Sequence, residues 1–118
     1  MLFRVDPSSS VPLGDQIAAC VRRAVSEGTV TPGERLPAAR ALADSLGVNV
    51  HTALRGYQRL REEGLIELRR GRGAVVTAGA SPHRARLLAG VRAVVAEARE
   101  LGMTEGDLLD LVRAELKT

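Results

Sequence analysis

Residues 68–76 read LRRGRGAVV, and the structure of this stretch decides how the whole chain is interpreted. Three arginines alternate with two glycines before a short apolar segment. Such a run is typical of a phosphate-binding loop, of a disordered basic tail, or of the tip of a β-hairpin. A phosphate-binding loop has its glycines between a strand and a helix N-terminus, whereas these glycines lie between the segments LIEL (65–68) and AVV (74–76). The pattern therefore favours a β-hairpin. Its predicted tip comprises Arg70, Gly71 and Arg72.

The segment immediately before the hairpin has the periodicity of an amphipathic helix from Val50 to about Glu63. When successive residues are placed about 100° apart, the apolar and polar side chains fall on opposite faces. The predicted apolar face contains Ala53, Leu54, Tyr57 and Leu60. The predicted polar face contains His51, Thr52, Arg55, Gln58, Arg59 and Glu62. Because several of these groups can hydrogen-bond base edges and phosphates, the helix is a candidate for reading DNA.

A shorter helix is predicted just before it, from Ala38 to Leu46. Gly47 is a C-terminal stop signal, and Asn49 is an N-cap for the next helix. Two helices joined by so tight a turn form a helix-turn-helix, and a β-hairpin directly after it makes a winged helix. The inward residues of the shorter helix are predicted to be Ala41, Leu42 and Leu46.

A first helix is predicted between Pro12 and Gly28, because apolar residues recur there at four-residue intervals. Arg22 and Arg23 are expected to be solvent-exposed. Cys20 lies close to the apolar stripe and is expected to be a buried, inert thiol. The stripe consists of Leu13, Ile17, Val21 and Val25.

The composition excludes several classes of protein. One cysteine and two histidines among 118 residues exclude an internal disulfide and a Cys/His zinc cluster, so no metal or cofactor is expected. No apolar run approaches the length of a membrane helix, which predicts a cytoplasmic protein. No Ser, His and carboxylate arrangement suggests an enzyme. The net charge is +3, and residues 49–77 hold the whole excess, with six arginines against three glutamates.

The last third of the chain predicts two amphipathic helices, the second beginning at Thr104 as N-cap with Asp107 at the capping-box position. Their apolar face is larger than a small winged domain can cover, so it is expected to bind a second copy. The predicted dimerisation residues are Leu87, Val91, Val94, Val95, Leu108 and Val112. The chain is thus predicted to be mainly α with a small β-hairpin. A winged helix-turn-helix domain (1–77) precedes a helical dimerisation segment (78–118).

From Pro12 to Val76 the sequence resembles the GntR family of bacterial transcriptional regulators. The resemblance rests on three blocks, which read VPLGDQIAACVRRAVSEGTVTPGERLPAARALADSLGV, NVHTALRGYQRLREEGLIE and RRGRGAVV. The short helical C-terminal part resembles the YtrA-like subfamily, in which two C-terminal helices dimerise in place of a large effector-binding domain.

The resemblance implies DNA contacts from the arginine of LPAAR, from the start of the recognition helix and from the wing. The polar helix face adds Arg59 to these candidates, and the hairpin tip adds Arg70. The full predicted DNA-binding set is Arg40, Asn49, His51, Thr52, Arg55, Arg59, Arg70, Gly71 and Arg72. The chain departs from many relatives at four positions, so their base preferences are not carried over. The departing residues are Gly14, Ala38, Ala39 and Val50.

The expected function is that of a homodimeric, sequence-specific repressor that binds an inverted repeat in double-stranded DNA. A winged-helix protein-interaction module and a non-specific architectural DNA binder are the alternatives. The sequence leaves open which genes are regulated and whether a small molecule controls binding.

Overall fold

The computed structural model describes residues 1–71 and 73–118, and this part of the chain contains five helices and one β-hairpin. The predicted class, mainly α with a small β-hairpin, is confirmed. The helices are α1 (Leu13–Ser26), α2 (Ala39–Leu46), α3 (Val50–Glu62), α4 (Pro82–Glu100) and α5 (Glu105–Leu116). The strands are β1 (Ile66–Arg69) and β2 (Gly73–Val76).

The chain forms two compact units, Met1–Arg86 and Leu87–Thr118. The first turn of α4 belongs to the first unit because Ala85 is buried there and Arg84 Nη2 donates a hydrogen bond to the Glu63 carbonyl at 3.2 Å. The first compact unit therefore extends past residue 77, where the sequence predicts a functional boundary.

The core of the first unit is built around the contact between α1 and α3. At this contact Gly14 and Gly56 bring the two backbones together, since a Cβ atom on Gly56 would lie 2.8 Å from the Gly14 carbonyl oxygen and 3.0 Å from Ile17 Cγ2. A residue larger than glycine does not fit at position 56 without a shift of α1. The largest fully buried side chains are Tyr57, Ile17, Leu60, Leu65, Ile66, Val21 and Val76.

The prediction that Leu54 faces the core is wrong, because its side chain is 39% exposed. The buried arc of α3 runs from Gly56 through Ala53 and Leu60 to Tyr57. The close approach of α1 at Gly56 moves this arc away from Leu54, which is left at its margin.

The turn between α2 and α3 is formed as predicted. Gly47 ends α2 in the left-handed conformation, with φ of 69°, which glycine adopts without a steric penalty. Asn49 caps α3, and its side-chain oxygen accepts a hydrogen bond from the His51 N–H at 2.8 Å. In α2, Leu42 and Ala43 are buried and Leu46 is half-buried, whereas the predicted inward position of Ala41 is wrong. The stripe centred on Leu42 and Ala43 leaves Ala41 on the exposed side.

The hairpin predicted at the wing is present, with β1 and β2 antiparallel in a register that pairs Ile66 with Val76. The segment at residues 33–36 lies along the other side of β2. There the Val76 N–H donates to the Glu34 carbonyl at 2.8 Å, and the Leu36 N–H donates to the Ala74 carbonyl at 2.9 Å. The sequence did not predict this segment as a strand. As a result β2 has hydrogen-bonded neighbours on both sides.

The second unit contains the rest of α4 and all of α5. Thr104 begins α5 with a full capping box, because its hydroxyl accepts from the Asp107 N–H and the Asp107 carboxylate accepts from the Thr104 N–H. This cap is as predicted. In α5, none of the 12 residues is buried.

Candidate nucleic-acid interface

The polar face of α3 is the largest group of predicted site residues that one element brings together. His51 and Arg55 are exposed near the start of the helix, and Thr52 between them is half-buried. A helix of this width fits the major groove of B-DNA. The four-residue spacing from His51 to Arg55 is one helical turn, so both side chains lie on the same side of α3.

Asn49 can offer only part of its side chain to an external partner. Its Oδ1 atom is used by the cap, where it accepts from the His51 N–H. The exposed amide nitrogen keeps two donors. Asn49 can therefore donate to a phosphate or to an acceptor on a base edge.

Arg59 lies further along α3, half exposed and next to a carboxylate of its own chain. Its Nε atom is 3.5 Å from Glu63 Oε2. Glu63 is also bound by Arg22 of α1, whose Nε and Nη2 atoms donate to the two carboxylate oxygens, each at 2.6 Å. A phosphate that binds Arg59 must compete with this carboxylate.

The expectation that Arg22 is exposed is wrong, because only 6% of it is accessible. A charge can be buried at this position because the bidentate pairing with Glu63 replaces the lost water. Arg23 is exposed as expected. Cys20 is half-buried, and its thiol lies 3.4 Å from the Arg4 carbonyl, within hydrogen-bonding distance for sulfur.

The remaining predicted DNA-binding residues lie on α2 and at the hairpin tip. Arg40 is exposed in the first turn of α2, which has no side-chain cap at Ala38. Arg70 and Gly71 are exposed at the tip. Arg72 lies outside the described residues.

The second unit presents the apolar surface predicted for dimerisation. Leu87 is 62% and Val91 52% exposed, and Val94 and Val112 are also exposed. Val95 and Leu108 are half-buried and line a cavity of about 290 Å³ between α4 and α5. These six residues therefore form an accessible apolar face on this unit.

Two negative findings concern residues 1–71 and 73–118. No helix in this part of the chain is long and apolar enough to cross a membrane. The same residues contain no cluster of His, Cys, Asp and Glu that could hold a metal ion.

The known proteins that the chain is similar to are transcription regulators. Residues 13–76 match the family described as bacterial regulatory proteins, gntR family. The chain is 37% identical over 107 residues to the HTH-type transcriptional regulator Rv1152 of Mycobacterium tuberculosis, covering 91% of this chain and 88% of that protein. It is 35% identical over 79 residues to the HTH-type transcriptional repressor YtrA of Bacillus subtilis, covering 67% of this chain and 61% of that protein. The solved structure of YtrA from Sulfolobus acidocaldarius, a GntR-family transcription factor, matches 97% of this chain and 96% of its own with a TM-score of 0.61 and 27% identity.

Proposed function

The chain belongs to the gntR family of bacterial regulatory proteins and is a DNA-binding transcription regulator; we propose that it is a cytoplasmic, homodimeric repressor of an inverted-repeat operator. This family consists of transcription regulators and not of enzymes. The observation that carries the proposal is the exposed polar face of α3, next in sequence to an arginine-containing hairpin. Repression is supported by the similarity to the repressor YtrA of Bacillus subtilis.

In the proposed complex the start of α3 enters the major groove. Arg55 donates two hydrogen bonds to a guanine edge, the commonest specific contact of an arginine with DNA. His51 and Asn49 contact the neighbouring bases or phosphates, and the small Thr52 lets the helix backbone approach. Because the Asn49 cap holds the N-terminus of α3, the backbone that carries these groups is in place before DNA binds.

Four further arginines contact the DNA outside that groove. Arg40 binds a phosphate from the first turn of α2. Arg70, at the tip of the hairpin, lies along the adjacent minor groove, where arginine responds to groove width more than to sequence. Arg72, two positions further along the sequence, is proposed to bind in the same groove. Arg59 binds a phosphate in exchange for its contact with Glu63.

The dimer in this proposal forms through the apolar face of the second unit. An isolated helix of about 12 residues is marginally stable in water, and α5 buries none of its side chains within the chain. A second copy would cover the exposed leucines and valines of both units through one self-complementary surface. Sedimentation equilibrium tests this step, and a monomeric mass at micromolar concentration would contradict it.

A fluorescence-anisotropy titration tests sequence recognition. The probes are a duplex from upstream of the chain's own gene and a shuffled duplex, each at about 50 and 200 mM salt, a range over which phosphate contacts weaken strongly. We expect the native duplex to bind at least about a thousandfold more tightly. Equal binding of both duplexes, lost together at high salt, would instead indicate an architectural protein.

The variant Arg55→Ala tests the direct contact. We expect it to lose about 1–3 kcal/mol of binding free energy on the native duplex and much less on the shuffled one. The matched control is Arg113→Ala, which removes an exposed arginine from α5 with the same change in charge. An equal loss on both duplexes for Arg55→Ala would exclude base reading by this residue.

A further inference from the structure

Glu63, at the C-terminal end of α3, contacts arginines from three helices. Arg22 of α1 binds both of its carboxylate oxygens at 2.6 Å, and Arg59 of α3 lies 3.5 Å from one of them. Arg84, in the first turn of α4, donates to its backbone carbonyl at 3.2 Å. The end of the recognition helix is thus fastened to α1 and α4 at a single residue.

A second fixed point lies in the middle of α3. At Gly56 the helix touches α1 so closely that an added Cβ atom would be 2.8 Å from the Gly14 carbonyl oxygen. Glu63 lies seven positions after Gly56, and Asn49 lies seven positions before it. With a rise of about 1.5 Å per residue, each arm is about 10 Å long.

Gly56 therefore lies midway between the two ends of α3, and the helix can rotate about its contact with α1 at this residue. If the end at Glu63 moves by about 1 Å, the end at Asn49 moves about as far in the opposite direction, a rotation of about 6°. Hydrogen bonds to base edges tolerate only a few tenths of an ångström. Contacts from long arginine side chains to phosphates tolerate more, because these side chains can follow the displacement.

We propose that Glu63 sets the direction of α3 on DNA, and that Arg22 and Arg84 are positioning residues that act through Glu63 and do not touch the DNA. This inference rests on the proposed function, since it requires α3 to read bases. The proposal gives Glu63, Arg22 and Arg84, which meet at the C-terminal end of α3, a role in sequence discrimination. Their removal lowers specificity more than affinity for DNA in general.

The first test measures the direction of the helix without DNA. Backbone residual dipolar couplings give the angle between α1 and α3 in the wild-type chain and in the variants Glu63→Gln and Arg84→Met. The control is Asp110→Asn, which makes the same charge change as Glu63→Gln at the exposed Asp110–Arg113 pair. We expect the angle to change by several degrees in Glu63→Gln and less in Arg84→Met, with the control unchanged. An unchanged angle in both variants overturns the proposal, whatever the chain does with DNA.

The second test measures DNA binding. The probes are a duplex that the wild-type chain enriches from a random library and a shuffled version of it. Arg84 is exposed, so Arg84→Met is expected to fold even if Glu63→Gln does not. We expect Arg84→Met to lose about tenfold or more on the enriched duplex, as for one lost base contact, with little change on the shuffled duplex. In Glu63→Gln the ratio of the two affinities should fall by the same factor, while binding to both duplexes gains from the release of Arg59.

The salt dependence separates positioning from direct contact. Each phosphate contact contributes about 0.9 to the slope of log K against log salt. An unchanged slope for Arg84→Met supports the proposal, and a slope reduced by about one shows a phosphate contact and overturns it. If the wild-type chain enriches no duplex, the proposed function fails, while the helix angles still decide whether Glu63 orients α3.

Discussion

Replacing Gly56 by alanine is expected to destabilise the fold, although alanine is the better helix former. The new Cβ atom would lie 2.8 Å from the Gly14 carbonyl oxygen, 3.0 Å from Ile17 Cγ2 and 3.2 Å from Ile17 Cβ. A backbone oxygen and a branched side chain in the core cannot move aside without shifting α1. Overpacking of this kind costs about 1–3 kcal/mol, and the higher helix propensity of alanine returns about 1 kcal/mol. We therefore expect a net loss of up to about 2 kcal/mol.

Urea unfolding followed by circular dichroism measures this loss, at one fixed protein concentration because the proposed dimerisation would contribute to stability. The control is Gly90→Ala in α4, where a new Cβ atom meets nothing within 4 Å. There the propensity gain is unopposed, so the free energy of unfolding should rise by about 0.5–1 kcal/mol. The two variants should thus differ in sign. A Gly56→Ala chain as stable as the Gly90→Ala chain would refute the close packing of α1 on α3.

Two further predictions concern a buried phenol and a helix cap. Tyr57 donates to the Pro37 carbonyl at 2.5 Å, and burial raises the pKa of its phenol. The unfolded chain releases this proton above about pH 10 while the folded chain keeps it, so the contribution of Tyr57 to stability is constant below that pH and falls above it. Tyr57→Phe should lower the free energy of unfolding by about 1 kcal/mol at neutral pH. Above about pH 10 that free energy, measured by urea unfolding, should decrease less in the variant than in the wild type. Equal decreases in the two chains would contradict the raised pKa of Tyr57. Thr104→Ala removes the capping box of α5, which typically costs about 1 kcal/mol per helix; two caps are lost per dimer, so self-association should weaken by up to about thirtyfold in sedimentation equilibrium. Thr104→Ser keeps the hydroxyl and should behave as the wild type, and a Thr104→Ala chain that associates as tightly would exclude α5 from the interface.

The parts of the fold that depend on neighbouring residues were predictable from the sequence. Gly47 ends α2, Asn49 caps α3, and Thr104 with Asp107 caps α5, as their spacing indicated. Each of these signals is complete within four or five residues, because the hydrogen bonds involved are local. The hairpin was predictable for the same reason, since turn residues separate two short apolar segments.

The features that were missed depend on partners far along the chain. The periodicity of α1 assigned Arg22 to the solvent, because a helical pattern gives the direction of a side chain but not what lies opposite. Its partner, Glu63, is 41 residues further on. The pairing of residues 33–36 with β2 was not predicted, since the apolar content of this segment is low and its hydrogen-bond partners lie far along the chain.

The candidate DNA-binding residues came from the family resemblance, from the polar face of the third helix and from the hairpin tip. The structure leaves them accessible on α2, α3 and the hairpin, with Thr52 half-buried and Arg72 outside the described residues. Their contacts with DNA stay predictions. No pattern in the sequence indicated that Arg59 shares a carboxylate with Arg22, because that depends on how α1 and α3 cross.

The pairing of β2 on both sides links the hairpin tip to the start of α2. One neighbour of β2 is β1, which leads to the hairpin tip, and the other is the segment that leads into α2 and Arg40. The backbone hydrogen bonds on both sides of β2 therefore set the reach, meaning the distance from Arg40 to the hairpin tip, in the protein without DNA. If Arg40 and the hairpin tip bind DNA as proposed, a duplex whose groove spacing does not match this reach must bend or twist to fit. The stiffness of the DNA sequence between the contacts then contributes to discrimination at base pairs that no side chain touches.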